Sequence, residues 1–178
     1  MKQSDFCLKP FAVNTTPELE ITGSIFRKLN QLQIKYLLAG NLASIVIPPL
    51  NKTPTRQRDL WEHTCLEFFL GLKDSPKYWE FNLSPSGDWN VFRFANYRQN
   101  IAEELAFNSL FFAILQQTNS CQLNLEVDLN QIIDPEQNLE VGITAVIENQ
   151  QQQLSYWALT HTTSVADFHQ RDSFIINL

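Results

Sequence analysis

The sequence predicts an all-β protein, an antiparallel β-sandwich with jelly-roll-like spacing and about ten strands, and three observations carry that prediction. Short apolar runs recur along the chain and are separated by clusters of Pro, Gly, Asn, Asp and Ser, the punctuation of strands joined by turns. Thirteen Phe, four Trp and four Tyr stand against one Met, and aromatic side chains suit a pleated, half-buried surface. Gln122 to Leu129 alternates strictly, with Leu123, Leu125, Val127 and Leu129 on one side, as in an antiparallel strand with one wet face.

Taken in order, Leu19 to Leu42 reads as two strands on either side of a polar Arg27-to-Gln33 turn region. Ala43 to Ile47 adds a short strand, stopped by Pro48 and Pro49, which have no amide hydrogen for a ladder. Lys52 to Arg58 is a Pro-broken basic stretch and reads as a solvated loop. Three closely spaced strands follow, Thr64 to Leu72, Lys77 to Ser84 and Trp89 to Ala95. Tyr97 to Phe107 then predicts a short helical turn, with Ile101 and Leu105 spaced for one face. Leu110 to Leu115 returns to strand character. Leu139 to Glu148, Leu154 to Thr160 and Phe174 to Leu178 complete the set, with Asn149 to Gln153 as a polar hairpin turn. The last apolar run is expected to dock into a sheet.

No linker or repeat divides the 178 residues, 44% of them hydrophobic, so one domain over 1–178 is expected. A formal net charge of -6 excludes a phosphate-tracking surface, because nucleic-acid affinity needs clustered Lys and Arg. No apolar stretch has the length of a signal peptide or a membrane span, which predicts a cytoplasmic protein. Cys7, Cys65 and Cys121 are odd in number and lack metal-type spacing, so they read as buried, reduced thiols.

Two turns assign the faces of the central strands. Lys73-Asp74-Ser75-Pro76 and Pro85-Ser86-Gly87-Asp88 each read as a four-residue hairpin loop. Counting from them places Glu67 opposite Asn82, Phe81 between Phe68 and Phe92, and Glu80 opposite Arg93. One face then carries Phe68, Phe81, Phe92, Leu70, Trp79 and Phe94 and is the expected core. The other carries Glu67, Phe69, Tyr78, Glu80, Asn82, Ser84, Trp89, Val91 and Arg93. Large aromatics on such a face call for a cover, supplied by loops or by a ligand. The same face would also serve as a protein interface, and cleft or flat patch distinguishes the two.

Trp61 to Leu70 (WEHTCLEFFL), Tyr78 to Phe94 (YWEFNLSPSGDWNVFRF) and Tyr156 to His169 (YWALTHTTSVADFH) together resemble DOMON-like domains akin to family 9 carbohydrate-binding modules. The resemblance implies a β-sandwich that holds a small ligand, a sugar or haem, on a concave sheet face without catalysis. It also implies that a sugar lies between aromatic rings and bonds acidic, amide and Arg groups. Trp61, Glu67, Glu80, Asn82 and Arg93 fall in the matching motifs, and Trp89 is the second candidate for stacking.

No cofactor is expected. DOMON haem commonly uses Met and His ligands, and the only Met here is Met1. His161, Asp167, His169 and Asp172 share a C-terminal loop but match no metal-ligand spacing, so His169 reads as a strand-end cap in a solvated loop. Glu67 and Glu80 resemble a glycosidase pair, yet Arg93 beside Glu80 would keep that carboxylate ionised, the wrong state for a general acid. The sequence thus predicts a non-enzymatic binding module.

Overall fold

The computed structural model describes residues 2–12 and 17–178 and is built from two antiparallel sheets. The smaller sheet runs β1 (Lys2–Cys7), β3 (Leu19–Lys28), β4 (Gln31–Gly40), β10 (Ser120–Asp128), β9 (Phe112–Gln116). The larger runs β2 (Lys9–Pro10), β12 (Leu154–Ala158), β11 (Leu139–Glu148), β5 (Cys65–Leu72), β6 (Tyr78–Leu83), β7 (Trp89–Phe94), β8 (Ala102–Glu103). β13 (Ile176–Asn177) joins β11 at the end that β12 leaves free. All-β architecture is therefore observed.

The core lies between the sheets because the period-2 apolar sets of facing strands meet there. Ile21, Ile25, Leu32, Ile34 and Leu38 come from one layer, and Leu66, Phe68, Trp79, Phe81 and Ile143 from the other. Phe68 and Phe81 stack at 4.4 Å. Polar ties also cross the interior. The Tyr36 hydroxyl, fully buried on β4, donates to the backbone oxygen of Glu67 at 2.6 Å. The buried Arg27 guanidinium donates to the Leu29 and Gln137 carbonyls at 2.7 and 2.6 Å. The final strand docks as expected, with Ile176 opposite Val141 and reciprocal backbone bonds between Leu139 and Leu178.

Several local expectations change. Ala43–Ile47 is not a strand: Leu42–Ser44 form a one-turn 3₁₀ helix, and Ile45 makes a single bridge to Asn149. Tyr97–Phe107 forms no helix, since Arg98 and Asn100 adopt positive φ of 50° and 51°, and Ala102–Glu103 pairs with β7. β1 and β2 have no counterpart in the sequence reading, because their polar, alternating Lys2–Cys7 carries little apolar signal. Cys65 and Cys121 are buried but Cys7 is exposed, on a strand at the sheet edge. Among the described residues no helix is long and apolar enough to cross a bilayer.

The first hairpin has the expected register, with Glu67 opposite Asn82 and Phe68 opposite Phe81. The second does not. Ser84 pairs with Asp88: its N–H donates to the Asp88 carbonyl at 2.9 Å, and its carbonyl accepts from Gly87 N–H at 2.9 Å. The loop is therefore three residues, Pro85-Ser86-Gly87, with Gly87 at φ +91°, the turn-plus-bulge that glycine permits. Phe81 consequently faces Val91, Glu80 faces Phe92, and Arg93 faces Trp79. One residue fewer in the loop turns every side chain of β7 over. Phe92 and Phe94 leave the expected core face, and Trp89, Val91 and Arg93 leave the expected ligand face.

Candidate functional site

A cleft of about 420 Å³ opens on the face of the larger sheet that points away from the sandwich core. Its floor is Glu67 and Phe69 from β5, Glu80 from β6, and Phe92 and Phe94 from β7. These meet because residues two apart on a strand share a face and the corrected register aligns the three strands. Val146 on β11 and Tyr156 on β12 extend the lining.

Trp61 stands at one wall, on the 3₁₀ turn Leu60–Glu62, with its ring edge-on to Phe92 at 5.7 Å. Asp59 opens that turn at φ 57°, and His63 ties its far end to Glu148 through Nδ1 to Oε2 at 2.9 Å. Tyr156 packs edge-on against Phe168 at 6.0 Å elsewhere in the cleft. Trp61 and Tyr156 each keep 37% of their surface exposed, which leaves ring surface free for a ligand.

The cover expected over the aromatic face is the C-terminal loop. Phe69 and Tyr78 are buried, not exposed, beneath His169 and Phe174. His169 is not a solvated strand cap. Its ring packs against Phe94 at 5.1 Å and Phe69 at 5.4 Å, and burial lowers its pKa to about 4, leaving the imidazole neutral. The Tyr78 hydroxyl accepts from Arg98 N–H at 3.1 Å and shares a hydrogen bond with His169 Nδ1 at 2.9 Å. The other ring nitrogen, Nε2, lies 3.8 Å from Glu80 Oε2. Asp167 holds the loop in place. Burial pushes its carboxyl up, but hydrogen bonds from Tyr97, Gln170 and Arg98 outweigh it and keep the group well below the usual carboxylate range.

The two floor carboxyls differ in their partners. Glu80 Oε1 accepts from Asn82 Nδ2 at 2.9 Å, and burial pushes its pKa up to about 7. Glu67 Oε2 accepts from the Thr144 hydroxyl at 3.2 Å, and its Oε1 has no hydrogen-bond partner. Burial first, and the neighbouring Glu80 charge second, push Glu67 well above the carboxylate range. The ionised state expected for Glu80 is thus replaced by a carboxyl that titrates near neutrality, because Arg93 lies on the other face.

A pH dependence follows. A carboxyl whose folded pKa lies above its unfolded value favours folding fully below the unfolded pKa, and that contribution is lost as pH rises through the folded one. For Glu80 the loss falls between its ordinary value of 4.5 and about 7. Glu80→Gln keeps the acceptor for Asn82 and removes the charge. It is expected to unfold at a higher temperature than the parent at pH 8 by about 2 kcal/mol of stability and to match it at pH 5, as read from paired thermal melts. Equal melts at pH 8 would contradict the raised pKa.

Of the residues selected from sequence, Trp61, Glu67 and Glu80 come together in the cleft, and Asn82 lies fully buried beneath, bonded to Glu80. Trp89 and Arg93 do not join them. Trp89 is buried in the core, with the Arg56 guanidinium 4.3 Å over its ring, and Arg93 is exposed beside Ala102. Phe92, Phe94, Arg98, Tyr156, Phe168 and His169 are among the lining residues that sequence reasoning missed. Phe92 and Phe94 were findable from Gly87 at the end of a three-residue loop. His161, Asp167 and His169 diverge: His161 Nε2 bonds the Lys9 carbonyl at 2.9 Å while His169 turns into the cleft. Among the described residues no group of three His, Cys, Asp or Glu is placed to hold a metal ion.

No protein-family model and no curated protein matches the sequence. Solved structures do match in fold. A proposed carbohydrate-binding protein from Bacteroides uniformis superposes with a TM-score of 0.69 at 12% identity, over 94% of this chain and 84% of that one. A family 9 carbohydrate-binding module from Caldicellulosiruptor kristjanssonii in complex with glucose gives 0.55 at 12% identity, over 92% and 78%. A module of that family from the same organism in complex with cellotriose gives 0.50 at 11%, over 85% and 70%. These likenesses show a shared sandwich fold.

Proposed function

We propose that this protein is a non-catalytic module that binds a carbohydrate or related polyol in the cleft on the larger sheet. The observation that carries this reading is a cleft with part-exposed aromatic rings at its walls and two carboxyl groups at its floor, Glu67 Oε1 being without a hydrogen-bond partner. A sugar has C–H faces that suit an aromatic ring and hydroxyls that need hydrogen-bond partners. Asn82 and Thr144 hold Glu80 and Glu67 in place, so little ordering entropy would be lost on binding. The fold shared with sugar-bound modules supports the same reading.

A protein interface fits less well, because Phe69, Tyr78 and Phe94 are sunk beneath the C-terminal loop and present no flat patch. Hydrolysis also fits less well. A glycosidase needs one carboxyl protonated and its partner ionised, whereas burial pushes both Glu67 and Glu80 upward.

Titration with mono- and disaccharides, followed by Trp fluorescence, is expected to show saturable change at millimolar concentration, with Trp61 as reporter. Trp61→Ala is expected to weaken binding by about tenfold, the worth of one good stacking contact. Arg93→Ala, on the opposite face, is expected to bind as the parent does. No response to any sugar, or equal loss in both variants, would remove the cleft as the sugar site.

A further inference from the structure

We propose that the preferred ligand of the cleft carries a protonated amine, as an amino sugar does, and that Glu67 Oε1 receives it. The inference rests on the carbohydrate reading of the same cleft and adds the chemical class of the ligand.

The first ground is an imbalance of charge. β5 brings Cys65 and Glu67 to this face, β6 brings Tyr78 and Glu80, and the 3₁₀ turn adds Glu62. The facing loops bring Arg98, Asp167 and His169. Among the described residues Arg98 is the only Lys or Arg in the lining, and its guanidinium is already engaged by Asp167 at 3.0 Å. His169 is neutral, as argued above. Glu148, also on this face, has His63 as partner at 2.9 Å. Three carboxyls therefore line the cleft without a dedicated cation.

The second ground is Glu67 itself. It lines the cleft with 2% of its surface exposed, Oε1 has no hydrogen-bond partner, and the one further donor beside the carboxyl is the weak Cys65 thiol. A buried acceptor without a donor is costly, and one on an ionisable group more so. An ammonium supplies both what the oxygen lacks: N–H donors and the opposite charge. A neutral hydroxyl supplies only the first. The aromatic lining adds to this preference, because Trp61, Phe92 and Tyr156 border the cleft and a cation seated over a ring face is attracted to it. Burial raises the pKa of both carboxyls, and for Glu67 the neighbouring Glu80 adds to it, so an arriving ammonium would drive a proton from the floor into solvent.

The test compares 2-amino-2-deoxyglucose and 6-amino-6-deoxyglucose with glucose and N-acetylglucosamine by calorimetry at pH 6.5, in two buffers of different ionisation enthalpy. At least one amine is expected to bind about tenfold more tightly than glucose, as a charge-assisted bond does relative to a neutral one, with net proton release. N-acetylglucosamine should fall back to the glucose value. Glu67→Gln, with its fold confirmed by thermal melt, should abolish the preference for the amine, so that the ratio of amine to glucose affinity falls to about one whatever happens to glucose affinity itself. Glucose binding equal to that of both amines would overturn the amine assignment and leave the carbohydrate reading standing. Absence of binding by all four would overturn both. A preference that survives Glu67→Gln would also overturn the assignment to that oxygen.

Discussion

Deleting Ser173–Leu178 is expected to lower the unfolding temperature by about 15 °C. Phe174, Ile176 and Leu178 are 4%, 9% and 2% exposed, and losing a buried side chain of this size costs about 2–5 kcal/mol. In a protein of this length each kcal/mol is worth about 2–4 °C, so even partial relaxation leaves a large shift. The segment also closes backbone bonds at Leu139 and lays Phe174 over Phe69, 5.4 Å between ring centres. Its loss uncovers one end of β11 and the aromatic floor together. A melt within 3 °C of the parent, a margin of about 1 kcal/mol, would mean that β13 contributes nothing to the folded state.

Gly23→Ala is expected to be nearly as damaging. A Cβ at Gly23 would lie 1.9 Å from the Lys35 carbonyl oxygen and 2.4 Å from the Phe6 ring. The first of these neighbours is backbone inside the β3–β4 ladder and has no rotamer to adopt. Overpacking of a core commonly costs about 1–3 kcal/mol, and a contact this short against a fixed strand belongs at or above the top of that range. Chemical denaturation should show a loss of about 3 kcal/mol or more. Trimming Phe6 should not restore it, whereas Ser24→Ala, on the outer face next door, should stay within about 0.5 kcal/mol of the parent. Rescue by the Phe6 change would place the clash at the ring instead.

The sandwich was legible in the sequence where alternation was strong, as in Gln122–Leu129, and where a turn had a single reading, as in Lys73–Pro76. β1 escaped because an edge strand with polar Lys2, Gln3, Ser4 and Asp5 looks like any soluble terminus. The candidate site was half legible. Glu67, Glu80 and Asn82 follow from the first hairpin alone, so they were placed together correctly. Trp89 and Arg93 depended on the second, and a loop shorter by one residue put Phe92 and Phe94 there instead. His169, Phe168 and Tyr156 were beyond local pattern, since they reach the cleft through pairings between segments far apart in the chain. Burial, which sets the pKa of Glu80, is a property of that assembled neighbourhood and has no signature in the residues beside it.

The bond from the Tyr36 hydroxyl to the Glu67 carbonyl has a mechanical consequence. Stacked layers deform most readily by sliding past one another, and an apolar contact resists such shear only weakly. A directional bond at the middle of the contact indexes one layer to the other at the very residue whose carboxyl faces the cleft. The floor is therefore referenced to a strand on the far side of the molecule. Under the proposed reading, adjustment to a guest would then fall to the rim, to the Trp61 turn and the C-terminal loop, while the position of Glu67 stays fixed like a gauge block.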